Sequence, residues 1–166
     1  MAQTAIVTAP KLRSAAHWRA GALAAAVIGL DQLTKRTVVP SHEQKLIPGL
    51  KLVNVRNTGV AFGAFSGGGA LVLVVTFVAL ALLLFYFATH PDRRGLWIPT
   101  GLLLGGALGN LVDRLANGAV TDFIKLPHWP AFNIADSAIT LGVIALVYVL
   151  ETGRGRDGTS SMRPRE

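Results

Sequence analysis

The chain has 166 residues, enough for one domain. Its 51% hydrophobic and 15% charged content, with a mean hydropathy of +0.48, excludes an ordinary soluble globule. The net charge of +7 does not indicate nucleic acid, because no basic stripe alternates with aromatic residues. The excess sits beside hydrophobic stretches: Lys11, Arg13 and Arg19, then Arg93 and Arg94, then Arg154, Arg156, Arg163 and Arg165. The absence of cysteine removes disulfides, thiol catalysis and thiolate metal sites.

In chain order, residues 1–16 read as a flexible lead. A first helix is expected over 18–38. Its apolar run from Ala20 to Leu30 follows basic residues like a secretory signal, but it continues through Asp31 to Val39 without a small-residue cleavage site. It is therefore read as a retained helix, ended by Pro40. Residues 41–66 mix Leu50, Leu52, Val53 and Val55 with Lys51, Asn54 and Arg56, and Asn57-Thr58-Gly59 supplies a turn signal. That pattern predicts a small β-rich segment.

Gly67–Gly69 leads into a second helix over 70–89. The stretch from Ala70 to Ala88 carries no charge and exceeds the threshold of about 18 apolar residues for a spanning helix. A basic turn, His90–Gly95, precedes a third helix over 97–114. Residues 115–131 are expected to form a second loop closed by Pro127 and Trp129-Pro130, with a fourth helix over 133–150 and a flexible basic tail over 151–166. The whole reads as an all-α membrane protein, a four-transmembrane-helix bundle in a single integral membrane domain. The distribution of Lys and Arg places both termini in the cytoplasm and the β-rich segment outside.

Four spans with that orientation bring Asp31, Lys35, Asn57, Asn110, Asp113, Arg114, Asp122, Asn133 and Asp136 to one membrane face. Ionisable groups near a bilayer core are costly, so a functional site is the default explanation. Bland readings remain for each. Asp31 and Lys35, four apart, form a carboxylate–ammonium pair that neutralises itself while the lysine snorkels. Asp113-Arg114 serves equally as a neutral interface anchor or as a fork of donors for a carbonyl or head group. An isolated loop aspartate such as Asp122 is usually a turn former, and Asp136 lies near a helix start where Asn133 is the better cap. Gly101, Gly105 and Gly109, with Gly106 beside them, read as close helix packing.

Two carboxyls brought together at a partly desolvated site share one proton. The ionised member activates a water, and the protonated member hydrogen-bonds an amide carbonyl and protonates the leaving nitrogen. This chemistry needs no metal, cofactor or nucleophilic side chain. His17, His42, His90 and His128 lack metal-ligand spacing. Two rival readings use the same acids: a small transporter or proton channel, and a membrane scaffold held by ion pairs.

The blocks Asp31-Gln32-Leu33-Thr34-Lys35, Asn57–Gly63, Gly105–Arg114, Gly118–Ile124 and Phe132–Ile139 occur in an order that resembles the lipoprotein signal peptidase (signal peptidase II) family. The resemblance spans about residues 20–150 and implies an aspartic endopeptidase whose catalytic pair is Asp122 and Asp136. It implies that Asn57, Asn110, Arg114 and Asn133 shape the site or hold substrate, with Asp31, Lys35 and Asp113 in support. The implied substrate is a diacylglyceryl-modified prolipoprotein, cut before its lipidated cysteine at the outer face of the bacterial inner membrane. The expected partners are that substrate and membrane lipid, with a monomer as the default and no nucleic acid. Val60 and Thr121 depart from the family's frequent alanine and second valine.

Overall fold

The computed structural model describes residues 9–58, 69–90, 93 and 95–158. Expectations resting on residues 1–8, 59–68, 91, 92, 94 and 159–166 lie outside that set. They include part of the Asn57–Gly63 block, with Val60, and part of the basic turn.

Helix α1 runs Ala9–Thr37. It starts inside the stretch expected to be a flexible lead. Pro10 falls in the first turn, where a missing N–H has no intrahelical partner to lose, and no further proline occurs before Pro40. Helix α2 is Gly69–Thr89, α3 is Trp97–Asn117 and α4 is Ile134–Gly158. Helix α3 ends where Gly118 takes a left-handed φ of 71° and donates its N–H to Arg114 O at 3.0 Å. Helix α4 passes through Gly153 and Gly155 into the stretch expected as a tail, because no proline interrupts it.

Small residues set the packing. A Cβ on Gly101 would stand 2.9 Å from Ala20 O, and one on Gly105 would stand 2.8 Å from Ala24 O. A Cβ on Gly109 would meet Asp31 Oδ2 at 3.0 Å. Rising numbers on α3 thus match rising numbers on α1, so the two helices lie parallel in near backbone contact. A Cβ on Gly106 would stand 2.5 Å from Ala135 O, and one on Gly142 would stand 2.7 Å from Leu103 Cγ, which makes α4 antiparallel to α3. At the other end of the bundle, Phe87 of α2 closes a core with Ala20 and Leu96.

The outward faces stay apolar: Leu82 is 64% exposed, Phe85 69% and Val147 55%. A water-soluble bundle would bury that surface. Among the described residues, Ile134–Thr152 is long and apolar enough to cross a membrane, and Phe77–Thr89 is a shorter apolar helix.

At the end of the bundle where α1 and α3 finish and α4 begins sits an antiparallel sheet in the order β1-β2-β3. Strands β1 (Gln44–Ile47) and β2 (Leu50–Asn57) form a hairpin through Pro48-Gly49, with Gly49 at φ 87°. Strand β3 (Val120–Lys125) lies within 115–131, expected as a loop. It is held by β2 in the register Leu52↔Ile124, Val55↔Asp122 and Asn57↔Val120, with an irregularity between. Its burial does not alternate, so period-two patterning could not reveal it.

Candidate active site

Each acid on the apolar chain is tied to a structural element by its own backbone neighbourhood. Asp122 lies mid-strand in β3, 2% exposed, between two amide donors. Asn57 Nδ2 of β2 donates to Asp122 Oδ2 at 3.0 Å, and Asn133 Nδ2 donates to Asp122 Oδ1 at 2.8 Å. The second donor is in place because Phe132 bridges back to β3: its N–H donates to Ile124 O at 3.0 Å and its carbonyl accepts from Ile124 N–H at 2.9 Å. That clasp delivers the next residue, Asn133, beside Asp122.

Asn133 is fully buried and caps α4. Its Oδ1 accepts the N–H of Asp136 at 2.9 Å, while Asp136 Oδ2 accepts the N–H of Asn133 at 3.2 Å. This is a reciprocal capping box. The bland cap reading of Asp136 therefore describes one of its oxygens. The other, Oδ1, accepts from Asn110 Nδ2 of α3 at 2.8 Å. Asn133 Nδ2 also lies 3.1 Å from Asn110 Oδ1, so one asparagine links both carboxyl groups and the third helix.

Burial foremost, and then the nearby charge of Asp136, push the Asp122 carboxyl up from the usual carboxylate range to about 6. The Asn57 and Asn133 amides and the Lys35 ammonium act against that rise.

Beneath this pair lies a buried ion triad. Lys35 Nζ stands 2.7 Å from Asp31 Oδ2 and 2.9 Å from Asp113 Oδ2, with side-chain exposures of 5% or less. The lysine therefore turns inward instead of snorkelling, and Asp113 pairs across helices and not with Arg114. Arg114 stands at the margin, its Nη1 3.5 Å from Asn110 O. The other eight residues read from the sequence are joined in one hydrogen-bonded network.

Gln32 belongs to that network, although reading the sequence did not single it out. Its Nε2 donates to Asp113 Oδ1 at 2.9 Å and approaches Gly109 O at 3.4 Å. Its place between Asp31 and Lys35 on a polar helix turn was the available signal. Thr121 takes part through its backbone alone, the N–H donating to Asp113 Oδ2 at 3.0 Å and the carbonyl accepting from Asn133 Nδ2 at 3.3 Å. Strand geometry supplies both groups whatever the side chain. Among the described residues, no group of three or more His, Cys, Asp or Glu is placed to hold a metal ion.

The arrangement offers two carboxyls with one shared set of amide donors, at the end of an apolar bundle. Comparison with known proteins adds the family. The pattern of the family described as Signal peptidase (SPase) II matches residues 23–151. The chain is 42% identical over 132 residues to a lipoprotein signal peptidase of Thermodesulfovibrio yellowstonii, covering 74% of this chain and 87% of that one. It is 44% identical over 136 residues to one from Shouchella clausii, covering 77% and 90%. A solved bacterial membrane enzyme, determined in meso at 2.3 Å, superposes with a TM-score of 0.73 at 31% identity, covering 89% of this chain and 93% of the other. A second, at 1.9 Å, gives 0.70 at 33% identity over 79% and 91%.

Proposed function

The chain belongs to the signal peptidase II family, and from that premise we propose that Asp122 and Asp136 are its catalytic pair. It is a membrane peptidase that removes signal peptides from prolipoproteins. The observation that carries the catalytic reading is the sharing of Asn133: its amide holds Asp122 at 2.8 Å while its backbone and side chain bracket Asp136.

In this mechanism the pair holds one proton. The ionised carboxyl takes a proton from water as the water oxygen attacks the scissile carbonyl carbon. The protonated carboxyl hydrogen-bonds the carbonyl oxygen as it gains charge, and then protonates the departing nitrogen. The two act as a coupled unit, so base and acid are roles of the pair. Asn57, Asn110 and Asn133 aim the carboxyl oxygens, and Arg114, at the margin, faces the approach of the peptide or lipid head group. The reaction needs no cofactor.

The substrate in this reading is a prolipoprotein whose cysteine carries a diacylglyceryl group, cut immediately before that cysteine. The site occupies the end of the bundle that carries the sheet. Both termini lie in the cytoplasm, so this end meets the extracytoplasmic face of the inner membrane, where the signal helix and acyl chains stay in lipid while the scissile bond meets water. Strands β1 and β2 lie at that face, and their movement gates entry. Every group in the network comes from one chain, which makes a monomer sufficient.

The test is cleavage of a diacylglyceryl-modified prolipoprotein by purified protein, wild type against Asp122→Asn and Asp136→Asn. Cleavage by wild type with both folded variants inert supports the pair. Near-normal turnover by either folded variant removes it, and an inert wild type on a validated substrate removes the whole reading.

A further inference from the structure

Lys35 holds its ammonium closest to two carboxylates that are not the proposed catalytic ones, at 2.7 and 2.9 Å, with Asn110 Oδ1 farther off at 3.4 Å. What those carboxylates hold is informative. Asp31 Oδ1 accepts the N–H of Ala135 at 3.0 Å, a contact between residues 104 apart in sequence. Asp113 Oδ2 accepts the N–H of Thr121 at 3.0 Å. Ala135 immediately precedes Asp136, and Thr121 immediately precedes Asp122. Two arms of the same construction therefore run from one ammonium, each ending on the backbone that carries one carboxyl.

We propose that Lys35 is the positioning residue that sets the spacing of Asp122 and Asp136, acting through Asp31 and Asp113 on the backbone N–H before each. This rests on the catalytic pair proposed above. The two arms come from different helices, α1 and α3, and end on different elements, the start of α4 and strand β3. Without the ammonium, the two carboxylates would repel each other and the two ends would be free to part.

A purely stabilising role explains the triad less well. Buried ion networks lose much of their attraction to desolvation, and apolar packing of equal volume commonly does as well. Spacing is different. A misplacement of about 1 Å at a reacting centre costs on the order of 100-fold in rate. The Gly109 backbone, with no Cβ to meet Asp31 Oδ2 at 3.0 Å, leaves room for the first arm. Gln32 satisfies the remaining oxygen of Asp113 at 2.9 Å, which fixes the second.

The experiment uses the full chain with a diacylglyceryl-modified prolipoprotein. It compares wild type, Lys35→Met, and the triple variant Asp31→Asn/Lys35→Met/Asp113→Asn, whose triad is wholly uncharged, with Asp122→Asn as reference. The triple variant matters because Lys35→Met alone leaves two buried carboxylates facing each other. Expected is a fall in kcat of about 100-fold in both variants, with KM within about two-fold of wild type and with the triple variant melting near wild type. The groups facing Asp122 are Lys35 from α1, Asp136 and Asn133 from α4, Asn57 from β2, and Asp113 of α3 through Thr121. In Lys35→Met, where only the ammonium is lost, the pH bend that follows Asp122 therefore also moves to higher pH, which a loss of stability alone would not do.

A folded triple variant with kcat within about three-fold of wild type overturns the inference alone. So does a variant whose KM rises while kcat holds. Turnover retained by Asp122→Asn overturns the catalytic pair, and this inference with it.

Discussion

Asn133 and Asp136 cap each other at the start of α4, the N–H of Asn133 donating to Asp136 Oδ2 at 3.2 Å and the N–H of Asp136 donating to Asn133 Oδ1 at 2.9 Å. One oxygen of a proposed catalytic carboxyl thus has a structural duty. Asp136→Asn keeps an acceptor for the cap and loses the negative charge favoured at a helix N-terminus. The expected outcome is abolished cleavage with a stability loss of about 1 kcal/mol. Activity and thermal unfolding in detergent, measured on the same preparation, check both. Collapse of the fold would instead favour an acid retained for structure.

Asn133 is the more sensitive position for folding. Its Nδ2 serves Asp122, Asn110 and the Thr121 carbonyl, at 2.8, 3.1 and 3.3 Å. Asn133→Ala leaves buried acceptors and one helix N–H unserved, which costs about 1–3 kcal/mol for each buried group left unpaired. Asn133→Asp keeps the cap oxygen but sets a third carboxyl against Asp122, so it should fold better than the alanine variant and still cleave poorly. Unfolding midpoints of the two variants decide the order, and equal midpoints would mean that the cap contributes little.

What the sequence made legible follows from local physics. Aspartates in apolar runs are conspicuous because lipid penalises them, and the glycine spacing on α3 announces close packing because a helix face repeats every three or four residues. Strand β3 was not legible, since its pairing partner lies on the far side of α2 and α3 in the chain. The arms of Lys35 were equally hidden: they end on backbone N–H groups of Thr121 and Ala135, whose side chains say nothing of the contact. Arg114 was read as part of the cluster from its place beside Asp113, but on a helix adjacent residues point about 100° apart, and it falls at the margin.

The elevated Asp122 carboxyl makes stability fall as pH rises. Its folded value of about 6 lies above the ordinary aspartate value of 3.8. The native state therefore holds the proton more tightly, and this contribution is full below about 4 and lost as pH climbs through about 6. The contribution is on the order of 3 kcal/mol. Wild type should thus unfold at progressively lower temperature between those limits, and Asp122→Asn should lack that slope. The shared-proton form of the pair empties over the same upper range, so kcat/KM for wild type bends down on the alkaline side. A wild-type profile of stability as flat as that of Asp122→Asn would refute a raised carboxyl.

Glycine positions on the helices separate packing from mere composition. A Cβ at Gly106 would stand 2.5 Å from Ala135 O, a backbone atom at the N-terminus of α4 that cannot move without shifting Asp136. Gly106→Ala therefore drives α3 and α4 apart at the site itself. Overpacking of this kind costs about 1–3 kcal/mol, and cleavage should fall further than stability because the carboxyl spacing changes with it. Gly29 on α1 is the internal control, with nothing within 4 Å of an added Cβ. Gly29→Ala restricts the unfolded chain without a clash, so it should gain about 0.5–1 kcal/mol and leave turnover unchanged. Both variants are read by the same two measurements, initial cleavage rate and unfolding midpoint. Equal behaviour of the two would mean that the approach of α3 to α4 at Gly106 does not set the geometry of the pair. Loss confined to Gly106→Ala, larger in rate than in midpoint, ties the small-residue face of α3 directly to the chemistry at its end.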